Sequence, residues 1–176
     1  MFDLRPATLA DRATIAHHRV AIFIEIDRMA ASRADALDDA TRAYLADAIP
    51  TGEYVGWLAV PAATPSRVVA GCGVQVRNVA PFPWRFPVGG EVIAAGRQAL
   101  IVNVYTEPEF RRLGLARRLL TTVVDWARKN RVDSLILHAT PSGRPLYESL
   151  GFEPTNEMRF MGDLREGSGP AGVSRA

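Results

Sequence analysis

The sequence predicts an α/β domain (an α+β mixed sheet), a central mixed β-sheet with helices on both faces. Three observations lead there. Short apolar, β-branched runs alternate along the chain with segments of helical periodicity. One of these runs, Leu100–Tyr105, passes directly through a basic, glycine-containing turn into a long amphipathic helix. Two further runs, Tyr54–Val60 and Arg67–Val76, are joined by Pro61–Ser66, a spacing that makes an antiparallel hairpin.

Each element follows in order. Residues 2–5 read as a short first strand. Thr8 followed by Asp11 has the form of a capping box, and Leu9–Arg28 then carries Ala13, Ala16, Val20, Phe23 and Ile26 at helical spacing. A second helix is expected over Ala34–Ala48, with Ala36, Leu37, Ala40, Tyr44 and Leu45 on one side, broken by Pro50-Thr51-Gly52. After the hairpin, Asn78–Gly96 reads as a long irregular segment containing Pro81, Pro83, Pro87 and Gly89-Gly90. Loops of that length are usually functional or mobile. The central strand is placed at 98–106 and its helix at 111–130, with Leu115, Leu119, Leu120, Val123, Val124 and Ala127 facing inward. Asp133–Ala139 is another buried strand, and Pro141–Leu150 a short helix stopped by Gly151. Glu157–Met161 closes the sheet, which makes residues 1–162 the domain and 163–176 a polar, disordered tail.

Composition narrows the function. A chain of 176 residues is one domain with room for a real core. The single cysteine, Cys72, excludes an internal disulfide and a cysteine-rich metal site, so no metal is expected. Cys72 has no activating neighbours in its strand and is read as structural. No apolar run is long enough to span a membrane, and the N-terminus lacks the layout of a signal peptide. A cytoplasmic, bacterial-type enzyme is the expectation. Twenty of the 21 basic residues are arginine, but only Arg111, Arg112, Arg117 and Arg118 cluster. Nucleic-acid binding would show a longer basic stripe with stacking aromatics.

That arginine cluster carries the chemistry. A helix opening from a strand leaves its first-turn N–H groups without intrahelical partners, and the helix dipole adds about half a positive charge. Gly114 and Ala116 let a ligand approach the backbone, while Arg111 and Arg112 offer forked donors suited to phosphate. A pyrophosphate is expected there.

The segment Val104-Tyr-Thr-Glu-Pro-Glu-Phe-Arg-Arg-Leu-Gly-Leu-Ala116 resembles the acyl-CoA-binding motif of the GNAT superfamily of N-acetyltransferases, with Arg111, Gly114 and Ala116 in its Arg-x-x-Gly-x-Ala positions. Leu146-Tyr-Glu-Ser-Leu-Gly-Phe152 resembles the family's second signature, and Leu4-Arg-Pro-Ala-Thr8 with Asp11 its opening strand-turn-helix. The resemblance runs over roughly residues 2–161. It implies a GNAT-like fold and acetyl transfer from acetyl-CoA to a primary amine by direct attack in a ternary complex. A small-molecule acceptor is favoured; a protein N-terminus or lysine is the alternative, and a non-catalytic acyl-CoA-binding module is the rival from another class. Homodimers are common in the family.

The resemblance also assigns residues. The backbone of Val104, Tyr105 and Thr106 would align the pantetheine and thioester. The amides of Arg112, Leu113, Gly114, Leu115, Ala116 and Arg117, with Arg111, would hold the pyrophosphate. Tyr147 stands where the family places a phenol that protonates the departing thiolate. His138 stands near the position of a general-base glutamate, and a neutral imidazole can take that role. Thr140 and Ser142 occupy the place of an asparagine that binds pantetheine; one of them is expected to cap the short helix instead. Glu107 and Glu109 are expected to be exposed. In a regular strand Asn103 points away from the side of Val102 and Val104, and it is a candidate marker of strand splay. The first helix, with His17, His18, Arg19, Glu25 and Asp27, and the loop aromatics Phe82, Trp84 and Phe86 are candidates for the acceptor pocket.

Overall fold

The computed structural model describes residues 1–86, 90–155 and 157–158, with backbone alone for 84–86. Strand β1 (Phe2–Pro6) leads into helices α1 (Arg12–Glu25) and α2 (Ala34–Thr51). Strands β2 (Tyr54–Pro61), β3 (Ala70–Asn78), β4 (Phe82–Phe86), β5 (Gly90–Ala94) and β6 (Arg97–Thr106) follow. Helix α3 (Leu115–Lys129), strand β7 (Ser134–Leu137) and the short helix α4 (Arg144–Glu148) complete the order. The main sheet runs β1-β2-β3-β6-β7, antiparallel throughout except for the parallel pair β6–β7. The mixed α/β architecture is as expected.

One face of the sheet packs on α3. Leu115, Leu119, Leu120 and Val123 fall at helical spacing on its inner side and close on Trp57, Ala59, Ala70, Cys72, Val74, Ala99 and Ile101. Burying each leucine contributes roughly 1.5–3 kcal/mol. The other face packs on α1 and α2 through Ile15, Leu45, Ala48, Tyr54 and Leu58. The glycines of β3 make that second face possible. A Cβ at Gly73 would lie 2.2 Å from the Tyr54 hydroxyl, and one at Gly71 would lie 3.1 Å from His18 Nδ1.

The α1 entrance is fixed as its sequence predicts. The Asp11 carboxylate accepts from the Thr8 amide at 2.8 Å and takes a two-pronged bond from Arg5 at 2.7 and 2.9 Å, joining β1 to the helix.

Several boundaries differ from expectation. The segment 78–96 is not irregular: β4 and β5 pair across it as a separate two-stranded ribbon. Its prolines obscure the alternation that marks a strand. Helix α2 continues through Pro50, which forgoes one bond to the preceding turn, and ends at Gly52 in a left-handed conformation (φ +77°). Helix α3 begins at Leu115 rather than 111, so the arginine pair lies in the turn. Strand β7 stops at Leu137, short of His138. Of the expected closing strand, Glu157 and Met158 lie outside any strand, and residues 159–161, like the tail, fall outside the described residues.

The largest departure is in β6. Tyr105 faces Gly71, yet Val102 faces Gly73, so β6 carries one residue more than β3 across this interval. Asn103 takes up the excess in the left-handed region at φ +56°, a conformation that asparagine tolerates better than most residues.

Candidate active site

Strand β6 is the hinge of the site. On one edge it pairs with β3 as far as Ala70–Thr106; on the other its pairing with β7 ends at Ile101–Leu137. Among the described residues no strand covers Val102–Thr106 on that second side. The chain then passes through a single 3-10 turn, Pro108–Phe110, and enters the loop before α3. Arg112 (φ +65°) and Gly114 (φ +77°) are both left-handed there. A Cβ at Gly114 would meet nothing within 4 Å, so the space above the turn is open. The first helical bond is Arg118 N to Gly114 O, at 3.1 Å, and the amides of Arg112 through Arg117 find no acceptor among the described residues. A row of free amides at a helix start is a site for an anion.

The arginines divide their tasks in a way the sequence did not separate. Arg111 donates from Nη2 to Glu25 at 2.5 Å and from Nε to the Thr106 carbonyl at 2.9 Å, and it lies over the Tyr105 ring. It braces β6 against α1. Arg117 reaches Ser149 at 2.8 Å and Arg118 the Phe2 carbonyl at 3.0 Å. Arg112 has no partner among the described residues and is the free cation of the turn.

Tyr147 lies on α4, packed onto the α3-side core with its ring edge-to-face against Phe152 at 6.2 Å. Burial, with neighbouring Cys72 adding to it, raises the phenol above its ordinary pKa, so it holds its proton at neutral pH. Its hydroxyl has no protein partner among the described residues. Thr140 Oγ1 accepts from the Gly143 amide at 3.1 Å and its carbonyl from the Arg144 amide at 3.0 Å, closing the turn before α4. The N-cap itself is Gly143, so neither Thr140 nor Ser142 caps the helix, and Ser142 lies 3.2 Å from the Thr140 hydroxyl. His138 follows the end of β7, its side chain 48% exposed, with Nδ1 3.4 Å from Glu157.

On the opposite face the bulge overturns the expectation for Asn103. The extra residue brings Asn103 to the same side as Val102, while Val104 packs toward α3. Val102 and Asn103 form the floor of a cavity of about 300 Å³ walled by α1, α2 and β2. Arg19 donates to Asn103 Oδ1 at 3.0 Å, Asn103 Nδ2 reaches the Tyr54 hydroxyl at 3.5 Å, and Gln75 donates to the Tyr44 hydroxyl at 3.0 Å. Burial lowers the Arg19 pKa and raises that of Tyr54. Phe82 does not line this cavity, and the side chains of Trp84 and Phe86 lie outside the described residues. Tyr54 and Gln75 were not foreseen as site residues. The paired glycines of β3, which leave room for a large side chain opposite, were the available signal.

Beside the cavity, His18 is fully buried against Tyr105, its Nε2 unpartnered and 3.7 Å from Glu107. Burial, then His17, pushes its pKa down to about 4. Glu107 is half-buried rather than exposed, and also receives His17 at 3.4 Å. Glu109 is exposed and pairs with Arg67 at 2.6 Å.

The model of the acetyltransferase (GNAT) family matches residues 13–152. The chain belongs to this family. A GCN5-related N-acetyltransferase from Ralstonia eutropha JMP134 is 28% identical, with a TM-score of 0.77 over 91% of this chain and 97% of its own. A predicted acetyltransferase with acetyl-CoA from Clostridium acetobutylicum is 22% identical, with a TM-score of 0.74 over 92% of this chain and 96% of its own. A possible acetyltransferase from Clostridium difficile 630 has a TM-score of 0.70 at 19% identity, over 94% of this chain and 99% of its own. No curated protein matches the chain significantly.

As a GNAT acetyltransferase, the protein is an enzyme of acetyl transfer, a chemistry for which the family uses acetyl-CoA. The residues present fit that cosubstrate. The free amides and open space at Gly114 suit a pyrophosphate, and the uncovered edge of β6 suits an extended, amide-bearing arm. No helix among the described residues is long and apolar enough to cross a membrane, and no cluster of ligating side chains suited to a metal occurs among them.

Proposed function

We propose that the protein transfers the acetyl group of acetyl-CoA to the primary amine of a small molecule, by direct attack with both substrates bound. The observation that carries this reading is the position of β6 between two compartments. Its uncovered edge, from Val104 to Thr106, leads to the amide-lined turn, while its bulge floors an open-mouthed cavity on the other face. A cavity of about 300 Å³ is at the small end of ligand sites and fits a compact amine better than an extended polypeptide.

Acetyl-CoA supplies an activated acetyl thioester. The backbone of Val104, Tyr105 and Thr106 aligns its arm, and the amides from Arg112 to Arg117, with Arg112 as the free guanidinium, hold its pyrophosphate. Arg111 acts from behind by bracing the strand, and Ser142 is the hydroxyl available to the arm once Thr140 is committed to its turn. Holding amine and thioester together supplies much of the acceleration. Tyr147 keeps a proton for the leaving sulfur, and burial favours that protonated state. His138, next after the last paired residue of β7, takes the proton of the incoming ammonium.

Calorimetric titration with acetyl-CoA, CoA and ATP tests the first half of this reading; selective binding of acetyl-CoA is expected, and failure of the folded protein to bind it would remove the enzyme reading. Tyr147→Phe tests the second half. It should lower kcat by about 100-fold with acetyl-CoA affinity retained, and an unchanged kcat would remove the acid from Tyr147. His138→Gln should lower kcat with acetyl-CoA affinity retained; a kcat equal to wild type would discard the histidine base.

A further inference from the structure

We infer that the acceptor is a carboxylate-bearing amine, an amino acid or a close derivative, and that Arg19 binds its carboxylate. The inference rests on the acetyl-transfer reading and names the class of substrate for its cavity.

Arg19 is a half-buried guanidinium that lines the cavity. Its only hydrogen bond among the described residues runs from Nη1 to Asn103 Oδ1, and its face rests on Phe23 at 5.1 Å. Among the described residues no carboxylate pairs with it, and none lines the cavity. Of the acidic groups on the two helices, Glu25 holds Arg111 and Asp38 holds Arg42, while Asp35, Asp39 and Asp47 do not line the cavity. An arginine offers five N–H donors in a planar fork, and here one is matched by a neutral amide oxygen. Burial already acts against its charge. Cations removed from water are ordinarily paired, so the missing anion is expected from the ligand. The surrounding groups agree. Tyr44, Tyr54 and Gln75 add neutral polar contacts, whereas a cationic or polyamine acceptor would meet a like charge with no acid to offset it. A single guanidinium balances a single carboxylate. Asn103, which bonds Arg19 and sits in the bulge, places this anchor beside the strand that carries the cosubstrate, so a bound amino acid would have its amine within a few bonds of β6.

The test is a comparative screen of amines with acetyl-CoA, read as CoA release. Amino acids are matched against their amides, their decarboxylated amines and their aminophosphonate analogues. Carboxylate-bearing amines should exceed the matched neutral amines in kcat/KM by about 10- to 100-fold, the range for a charge-assisted hydrogen bond. Arg19→Gln should collapse that ratio toward one, and Arg19→Lys should restore part of it, with acetyl-CoA affinity by calorimetry as the check on folding. If Arg19 merely braces Asn103, Arg19→Gln lowers all amines alike and the ratio survives, which would overturn the assignment. Neutral amines or polyamines outrunning amino acids would overturn it as well, and aminophosphonates equal to or better than carboxylates would overturn the carboxylate class. A parallel titration of the CoA-loaded protein with the same amino acids separates the two readings. Amino acids that bind through Arg19 without being acetylated would break the acetyl-transfer reading and keep the recognition. Acetylation without carboxylate preference would do the reverse.

Discussion

Against α3 the sheet presents Trp57, Ala59, Cys72, Val74 and Ile101 to a row of leucines; against α1 and α2 it presents Tyr54, Val102 and Asn103, with His18 and Arg19 among their neighbours. The α3 face is closed by buried apolar side chains. The α1–α2 face holds a cavity, a half-buried guanidinium and a buried imidazole whose Nε2 makes no hydrogen bond among the described residues. Both faces border β6, but they meet different demands. The α3 face anchors a helix whose start grips a cosubstrate through backbone amides, so any well-packed side chains will serve. The α1–α2 face must recognise an acceptor through side chains, so it carries polar groups that packing alone would disfavour.

The sharpest way to break the comparison is truncation on each side. Leu119→Ala, in the filled core, should cost about 3–5 kcal/mol in chemical denaturation, whereas Leu45→Ala, which borders the cavity, should cost less because part of its surroundings is already empty. Equal losses would mean that the two faces are packed alike. Gly73→Ala comes next. Its Cβ would press on the Tyr54 hydroxyl, and overpacking of this kind costs roughly 1–3 kcal/mol. Thermal unfolding should register the loss, and acceptor KM should rise while acetyl-CoA affinity holds.

Smaller effects come from pH, and their windows are distinct. His18 has a folded pKa of about 4, below its unfolded value, so the unfolded chain binds the extra proton. Stability therefore falls as pH drops from about 6.5 to about 4, and His18→Gln should flatten that slope. Asp11, held by Arg5 and by Thr8, titrates near pH 2 in the folded state. Its contribution is present above the unfolded carboxyl value and is lost as pH falls from about 4 to about 2, by about 1 kcal/mol after screening. Asp11→Asn should remove this second slope and leave the first.

What was legible in the sequence follows the same division. The turn from β6 into α3 is local: strand, glycine and helix lie within a few residues, so adjacent residues state the chemistry together. The α3 leucines and the Thr8–Asp11 cap were legible for the same reason. The ribbon β4–β5 was not, because prolines hid its alternation. The task of Arg111 was also hidden, since Glu25 reaches it across 86 positions.

The sequence by itself therefore determined the mixed sheet, the anion-binding turn and the family resemblance, because each is written in short-range periodicity and contiguous motifs. Only the tertiary structure decided which arginine is free at that turn, which hydroxyl is spent on closing the turn before α4, and where the acceptor cavity lies. That cavity joins Arg19 to Asn103 across 84 positions and depends on one surplus residue in β6. A bulge shifts every side chain beyond it relative to its neighbour strand, and the sequence offered only Asn103, a candidate marker of splay, with nothing to say which way its side chain would turn.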